Sequence, residues 1–131
     1  MLKFLLKVGA VMLIFVTIVF IGTLIHLTWG LKQAAAVELK GLDGLVLEEG
    51  GYTGIYEYKR WANVLNVRVS GGKIVEINIV DDVDYVDPIV TEELFDKVIK
   101  AQDTEIEVIA GATATSRSYL KAIENALIKE E

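Results

Sequence analysis

Residues 8–31 contain no Asp, Glu, Lys or Arg, although 24% of the 131 residues in the chain are charged. As a helix rising about 1.5 Å per residue, this run of 24 residues is long enough to cross a hydrocarbon core about 30 Å thick with some tilt. The remaining stretch, residues 33–131, is the size of one domain with a modest core, which rules out a second globular domain. The expected division is a membrane anchor at 1–32, a stalk at 33–49 and a folded domain at 50–131.

Lys3 and Lys7 precede the apolar run and only Lys32 follows it closely. That bias points to an N-terminus inside and a single-pass topology with residues 33–131 outside the cytoplasm. A cleaved signal peptide is the competing reading, because Ala34-Ala35-Ala36 offers a small-residue cleavage site. Signal cores usually span about 7 to 15 apolar residues, so a retained anchor is the expectation. Trp29 suits the interfacial aromatic belt. His26 lies near the outer end of the run with no second ionisable partner, and it reads as an interfacial imidazole rather than a proton relay.

Charge and composition then exclude much chemistry. Lys3, Lys7 and Lys32 give the anchor +3, and the remainder holds 10 basic against 19 acidic side chains, net −9. Nucleic acid rewards clustered Lys and Arg, so it is not an expected partner. With no cysteine there is no disulfide, iron–sulfur ligation, Cys-based haem attachment or catalytic thiol. The single histidine lies in the apolar run, which excludes Ser-His-Asp catalysis and a His-rich metal site in the domain.

Within the domain, Tyr52, Gly54, Tyr56 and Tyr58 share one strand parity, and residues 64–69 and 73–80 are β-rich. Ser70-Gly71-Gly72 between the two runs supplies glycines for a tight hairpin turn, which predicts antiparallel pairing. Residues 81–87 form an acidic loop. It lacks the glycine and downstream glutamate of an EF-hand, so a solvated loop or a docking surface for a basic redox partner is expected rather than a calcium site. Thr91 is the expected N-cap of a helix running to about Gln102, residues 105–109 alternate as a short strand, and a second helix is expected from Ser116 to about Lys129. The predicted class is α+β: a small, mostly antiparallel sheet with helices packed on one side.

The segment Ile109-Ala110-Gly111-Ala112-Thr113-Ala114-Thr115-Ser116 joins the expected strand to a helix N-terminus. Free N–H groups and the dipole there favour phosphate, and Gly111 and Ala112 allow close approach of a ligand. A small-residue turn in which Thr115 or Ser116 merely caps the helix fits the same residues, and chemistry alone does not choose.

Ala110 to Ser116 resembles the Ser-Gly-Ala-Thr-x-Thr-Ser motif of the FMN-binding domain family, which includes the C subunit of the sodium-pumping NADH:quinone oxidoreductase and the G subunit of the Rnf complex. Gly51-Tyr52-Thr53-Gly54 is similar to the family's opening strand, Gly71-Gly72-Lys73-Ile74 to its hairpin, and residues 122–127 to the end of its last helix. Two positions depart from the pattern: Ala110 stands in place of Ser or Thr, and Glu107 where Asp is common.

The resemblance implies FMN as cofactor, transferred from FAD by a flavin transferase and linked through its phosphate to the hydroxyl of Thr113. It also implies a cofactor-binding set of Gly111, Ala112, Thr115 and Ser116 around the phosphate, with Tyr52 and Gly54 from the opening strand. One of Tyr52, Tyr56, Tyr58 and Trp61 would stack on the ring, against the alternative that these aromatics only cover a sheet face. Arg117 would pair with the phosphate or sit in solvent. The function so implied is an extracytoplasmic electron carrier tethered to the membrane, not an enzyme by itself, that exchanges electrons with redox proteins or a quinone. The alternative is a binding or assembly module of the same fold without covalent flavin, which Ala110 favours.

Overall fold

The computed structural model describes residues 1–128 and divides into two units, Met1–Lys32 and Gln33–Glu131. The first unit consists largely of helix α1 (Leu2–Thr28), which is 27 residues long with no buried side chain. It is long and apolar enough to cross a membrane. Its threonine hydroxyls are satisfied internally: Thr17 donates to the Leu13 carbonyl at 2.8 Å, Thr23 to Val19 at 2.9 Å and Thr28 to Leu24 at 2.7 Å. Such back-bonding is how a hydroxyl avoids standing open in an apolar medium. A five-residue helix, α2 (Leu31–Ala35), follows it in the chain.

The second unit contains β1 (Gly50–Tyr56), a 3₁₀ turn (Lys59–Trp61), β2 (Asn63–Ser70), β3 (Lys73–Asp81), α3 (Pro88–Ala101) and α4 (Thr113–Leu127). The strands form one antiparallel sheet in the order β1-β2-β3. The hairpin between β2 and β3 pairs Ser70 with Lys73, and Gly71 and Gly72 both take the positive φ that its tight turn requires, 61° and 77°. Along β2, Leu65, Val67 and Val69 are buried while Asn66 and Arg68 face solvent. This strict alternation gives the sheet one apolar face, and each such burial contributes roughly 1.5–3 kcal/mol.

Helix α4 covers that face with Ala114, Leu120, Ala122, Ile123, Ala126 and Leu127, among others. It lies very close to β1 at Gly54, where an added Cβ would stand 1.9 Å from the Ala122 carbonyl oxygen. Helix α3 presents Leu94 and Val98, one turn apart, to the same core. The class is α+β, with the helices packed against one antiparallel sheet.

Three local expectations change. Helix α3 begins at Pro88, ahead of Thr91, because the Asp87 carboxylate accepts from the Ile89 N–H at 3.1 Å and a proline at the first helical position loses no hydrogen bond there. Residues 105–109 make no strand. Ile106 and Val108 are half-buried and Glu105 and Glu107 exposed, so the alternation is real, but among the described residues no strand pairs with them. Helix α4 starts at Thr113 instead of Ser116; its expected end at Lys129 lies outside the described residues.

Residues 33–49 lie against the domain over much of their length. The Lys40 and Gly41 N–H groups each donate to Glu124 Oε1 at 2.9 Å, the Leu42 N–H donates to Asp103 Oδ1 at 2.8 Å, and Leu42 is buried. At the end of α3, Gln102 takes a left-handed conformation and its side-chain amide bonds both the N–H and the carbonyl of Ile74 on β3. One amide thereby imitates a neighbouring strand on an otherwise open sheet edge.

Candidate functional site

The turn into α4 is built from small residues for local reasons. Gly111 has φ 78°, a conformation that costs a residue with Cβ, and nothing lies within 4 Å of where a Cβ would stand. The Ala112 N–H closes the turn on the Ile109 carbonyl at 3.0 Å, and the first helical bond runs from the Ser116 N–H to the Ala112 carbonyl at 2.8 Å.

Ala112 occupies the N-cap position and has no side-chain oxygen with which to cap. Thr113, Ala114 and Thr115 therefore begin a helix whose first N–H groups have neither a helical partner nor a capping side chain. Thr113 is exposed at this uncapped end, beside exposed Ala110 and Gly111. An exposed hydroxyl at the positive end of a 15-residue helix, next to open N–H groups, suits the oxygens of a phosphate ester.

The other residues of the motif are divided between this end and the core. Ser116 is fully buried and its Oγ accepts from the Ile109 N–H at 3.3 Å, so it fastens the loop to the helix from behind. Thr115 is half-buried, and its carbonyl accepts from the Ser118 hydroxyl at 2.7 Å. Ala112 packs against the core edge.

The two residues expected from the opening strand are not brought to this end. Gly54 is buried beneath α4, opposite Ala122 and Ala126. Tyr52 donates to the Glu48 carbonyl at 2.8 Å and lines a pocket with Leu127. Leu127 closes α4 about 21 Å along its axis from Thr113.

Arg117 neither meets the motif nor sits free in solvent. Its Nη1 donates to the Val37 carbonyl at 2.6 Å. Trp61 is 3% exposed, with Tyr58 stacked at 6.4 Å and the Arg60 guanidinium 4.2 Å from its ring centroid, so little of its surface is open.

Sequence reasoning missed a polar pair behind the site. Tyr119, two turns into α4 and fully buried, donates its hydroxyl to the Asp82 carboxylate and meets Phe95 edge-on at 5.6 Å. Burial first, and then the bond to Asp82, push its phenol well above the usual range. The only signal in the sequence was a tyrosine on the apolar face of a helix, with nothing to name its partner. Asp82 also lines a cavity of ≈ 400 Å³ shared by the end of β3 and the start of α3. Among the described residues, no group of acidic or His side chains is arranged to hold a metal ion.

None of the curated proteins matches the chain. The family model described as "FMN-binding domain" matches residues 62–128, from the start of β2 to the end of α4, which is just over half of the chain. With that match, and with the uncapped, threonine-bearing helix end inside it, the chain belongs to the FMN-binding domain family, and FMN is the cofactor that membership implies.

Proposed function

We propose that the protein is an electron carrier held at the outer face of a membrane by α1, with its FMN joined through the phosphate to Thr113 Oγ. The observation that carries this reading is the exposed threonine at a helix end that the protein itself leaves uncapped. Linkage forms one bond, from Thr113 Oγ to the phosphorus of the FMN half of FAD, and breaks the pyrophosphate bond. AMP leaves with the electron pair, and the hydroxyl proton goes to solvent. A flavin transferase supplies the FAD and the catalysis.

When bound, FMN supplies the redox chemistry, and the chain supplies position and electrostatics. The Thr113 and Ala114 N–H groups would hold the phosphate, with the positive end of the helix dipole behind them. Gly111 leaves open space on the loop side of that end. Ser116, bonded to Ile109, keeps the turn from unwinding and so holds Thr113 at the first helical position. No side chain is assigned as acid, base or nucleophile in turnover. The two lysines ahead of the apolar run and the single one after it support an outside location, where an external transferase would load the domain.

The second reading is a module of the same fold that binds no covalent flavin, favoured by Ala110, which lacks the hydroxyl usual at that position. Co-expression with a flavin transferase followed by a denaturing gel separates the two. The carrier reading expects a fluorescent band from wild type and none from Thr113→Val. A dark wild-type band, or a Thr113→Val band of equal brightness, refutes covalent attachment at Thr113.

A further inference from the structure

The cavity between the end of β3 and the start of α3 is an apolar groove in the most acidic part of the chain. We propose that it docks a basic protein partner through an exposed apolar side chain ringed by Lys and Arg. Residues 74–96 contain eight carboxylates and no Lys or Arg. Four of the eight are committed: Glu76 to Arg68, Glu93 to Lys97, Asp87 to the cap of α3 and Asp82 to Tyr119. The other four, Asp81, Asp84, Glu92 and Asp96, are exposed, and their carboxylates make no hydrogen bond or ion pair among the described residues.

Ile79, Val86, Pro88 and Phe95 supply the apolar part of the groove's lining, and Asp82 and Glu92 bring carboxylates into the same lining. In the same stretch of chain Val86, which lines the groove, is 49% exposed and Ile89, in the first turn of α3, is 76% exposed, while Tyr85 is 53% exposed with the Arg60 guanidinium 5.2 Å from its ring centroid. Apolar side chains clustered in this way on a strongly charged surface mark an interaction site.

Charge decides the occupant. A second copy using the same patch would set two groups of carboxylates against each other, and an anionic bilayer would repel them as well. A cationic protein surface with one projecting apolar residue gains on both counts, faster encounter and burial of the groove. The position is useful too, because Asp82 in the groove wall is bonded to Tyr119, about 9 Å along α4 from Thr113. The proposal stands on this surface and does not require the covalent link.

The test uses the full chain in a neutral detergent and a labelled peptide of two lysines, phenylalanine, leucine and two further lysines, followed by fluorescence anisotropy at low salt. Removing one carboxylate of the groove lining and two from the acidic segment beside it, with Glu92→Gln, Asp81→Asn and Asp84→Asn, should weaken binding about tenfold. Removing three exposed charges from residues 33–49 with Glu38→Gln, Asp43→Asn and Glu48→Gln should change it less than twofold. Ile89→Ser, at an exposed position, should weaken it severalfold, as should alanine in place of the peptide's phenylalanine. Equal losses in the two triple variants would reduce the effect to net charge and overturn the proposal. So would no binding at low salt, or sedimentation showing a dimer of the chain that Ile89→Ser abolishes.

Discussion

Replacing Gly54 by alanine tests whether α4 is seated on β1 as closely as described. An ideal Cβ at Gly54 would lie 1.9 Å from the Ala122 carbonyl oxygen, 2.8 Å from the Ala122 carbonyl carbon and 2.9 Å from Ala126 Cβ. The two nearest atoms are backbone, so no rotamer change relieves the contact, and α4 must lift from the strand over the buried Ala122–Ala126 turn. Overpacking of this kind costs about 1–3 kcal/mol, and more when backbone must move. Against it, alanine in a strand recovers about 0.5–1 kcal/mol of backbone entropy. The expected net loss is about 2–3 kcal/mol, or roughly 10–20 °C in Tm for a domain of this size.

Urea unfolding of the full chain in detergent, followed through the fluorescence of buried Trp61, reads the loss directly. Gly51→Ala is the control, because nothing lies within 4 Å of its Cβ position. If Gly54→Ala unfolds within 0.5 kcal/mol of wild type, the close seating of helix on strand is wrong.

Other outcomes follow from single groups. Glu124→Ala strands the Lys40 and Gly41 N–H groups and the Thr104 hydroxyl, which donates to the same oxygen at 2.6 Å, and should cost about 3–5 kcal/mol; limited proteolysis should then cut within residues 33–49 before the rest of the domain. Gln102→Ala opens the β3 edge at Ile74 and should cost about 1–2 kcal/mol, with amide exchange at Ile74 accelerating more than at Ile77. For Asp103, burial raises the carboxyl pKa, but N–H bonds from Leu42, Glu105 and Thr104 outweigh it and hold the group below its ordinary value. A depressed folded pKa gives stability that is present above the unfolded value near 3.9 and is lost as pH falls through the folded value. Unfolding midpoints should therefore drop below about pH 4, and Asp103→Asn should flatten that part of the profile.

What could be read from sequence depended on how local its cause was. The β2–β3 hairpin was legible because two adjacent glycines and flanking β-rich runs fix the turn within a few residues. The apolar span was legible because one run of uncharged residues suffices. The start of α3 was misplaced by four residues because Thr91 and Asp87 are both plausible caps, and only the proline geometry at position 88 chooses between them.

Alternation at 105–109 reports burial on one side, which a strand and an unpaired extended connection share. Gly54 and Tyr52 read as parts of one short motif, yet the fold gives one to helix packing and puts the other at the far end of α4. Which residues Glu124 and Tyr119 would bond depends on segments 84 and 37 positions away, and no local pattern encodes that. The helix-end site itself was legible as a small-residue junction, although the decisive feature, an N-cap without a capping side chain, needed the helix start to be placed at Thr113.

The central claim is covalent FMN on Thr113, and the intact mass of the full chain co-expressed with a flavin transferase tests it most directly. The account predicts a mass raised by one FMN less one water, with the addition mapping to the peptide that contains Thr113 and vanishing in Thr113→Val. An unmodified mass in a strain that flavinylates a control substrate, or the same addition retained in Thr113→Val, would contradict it.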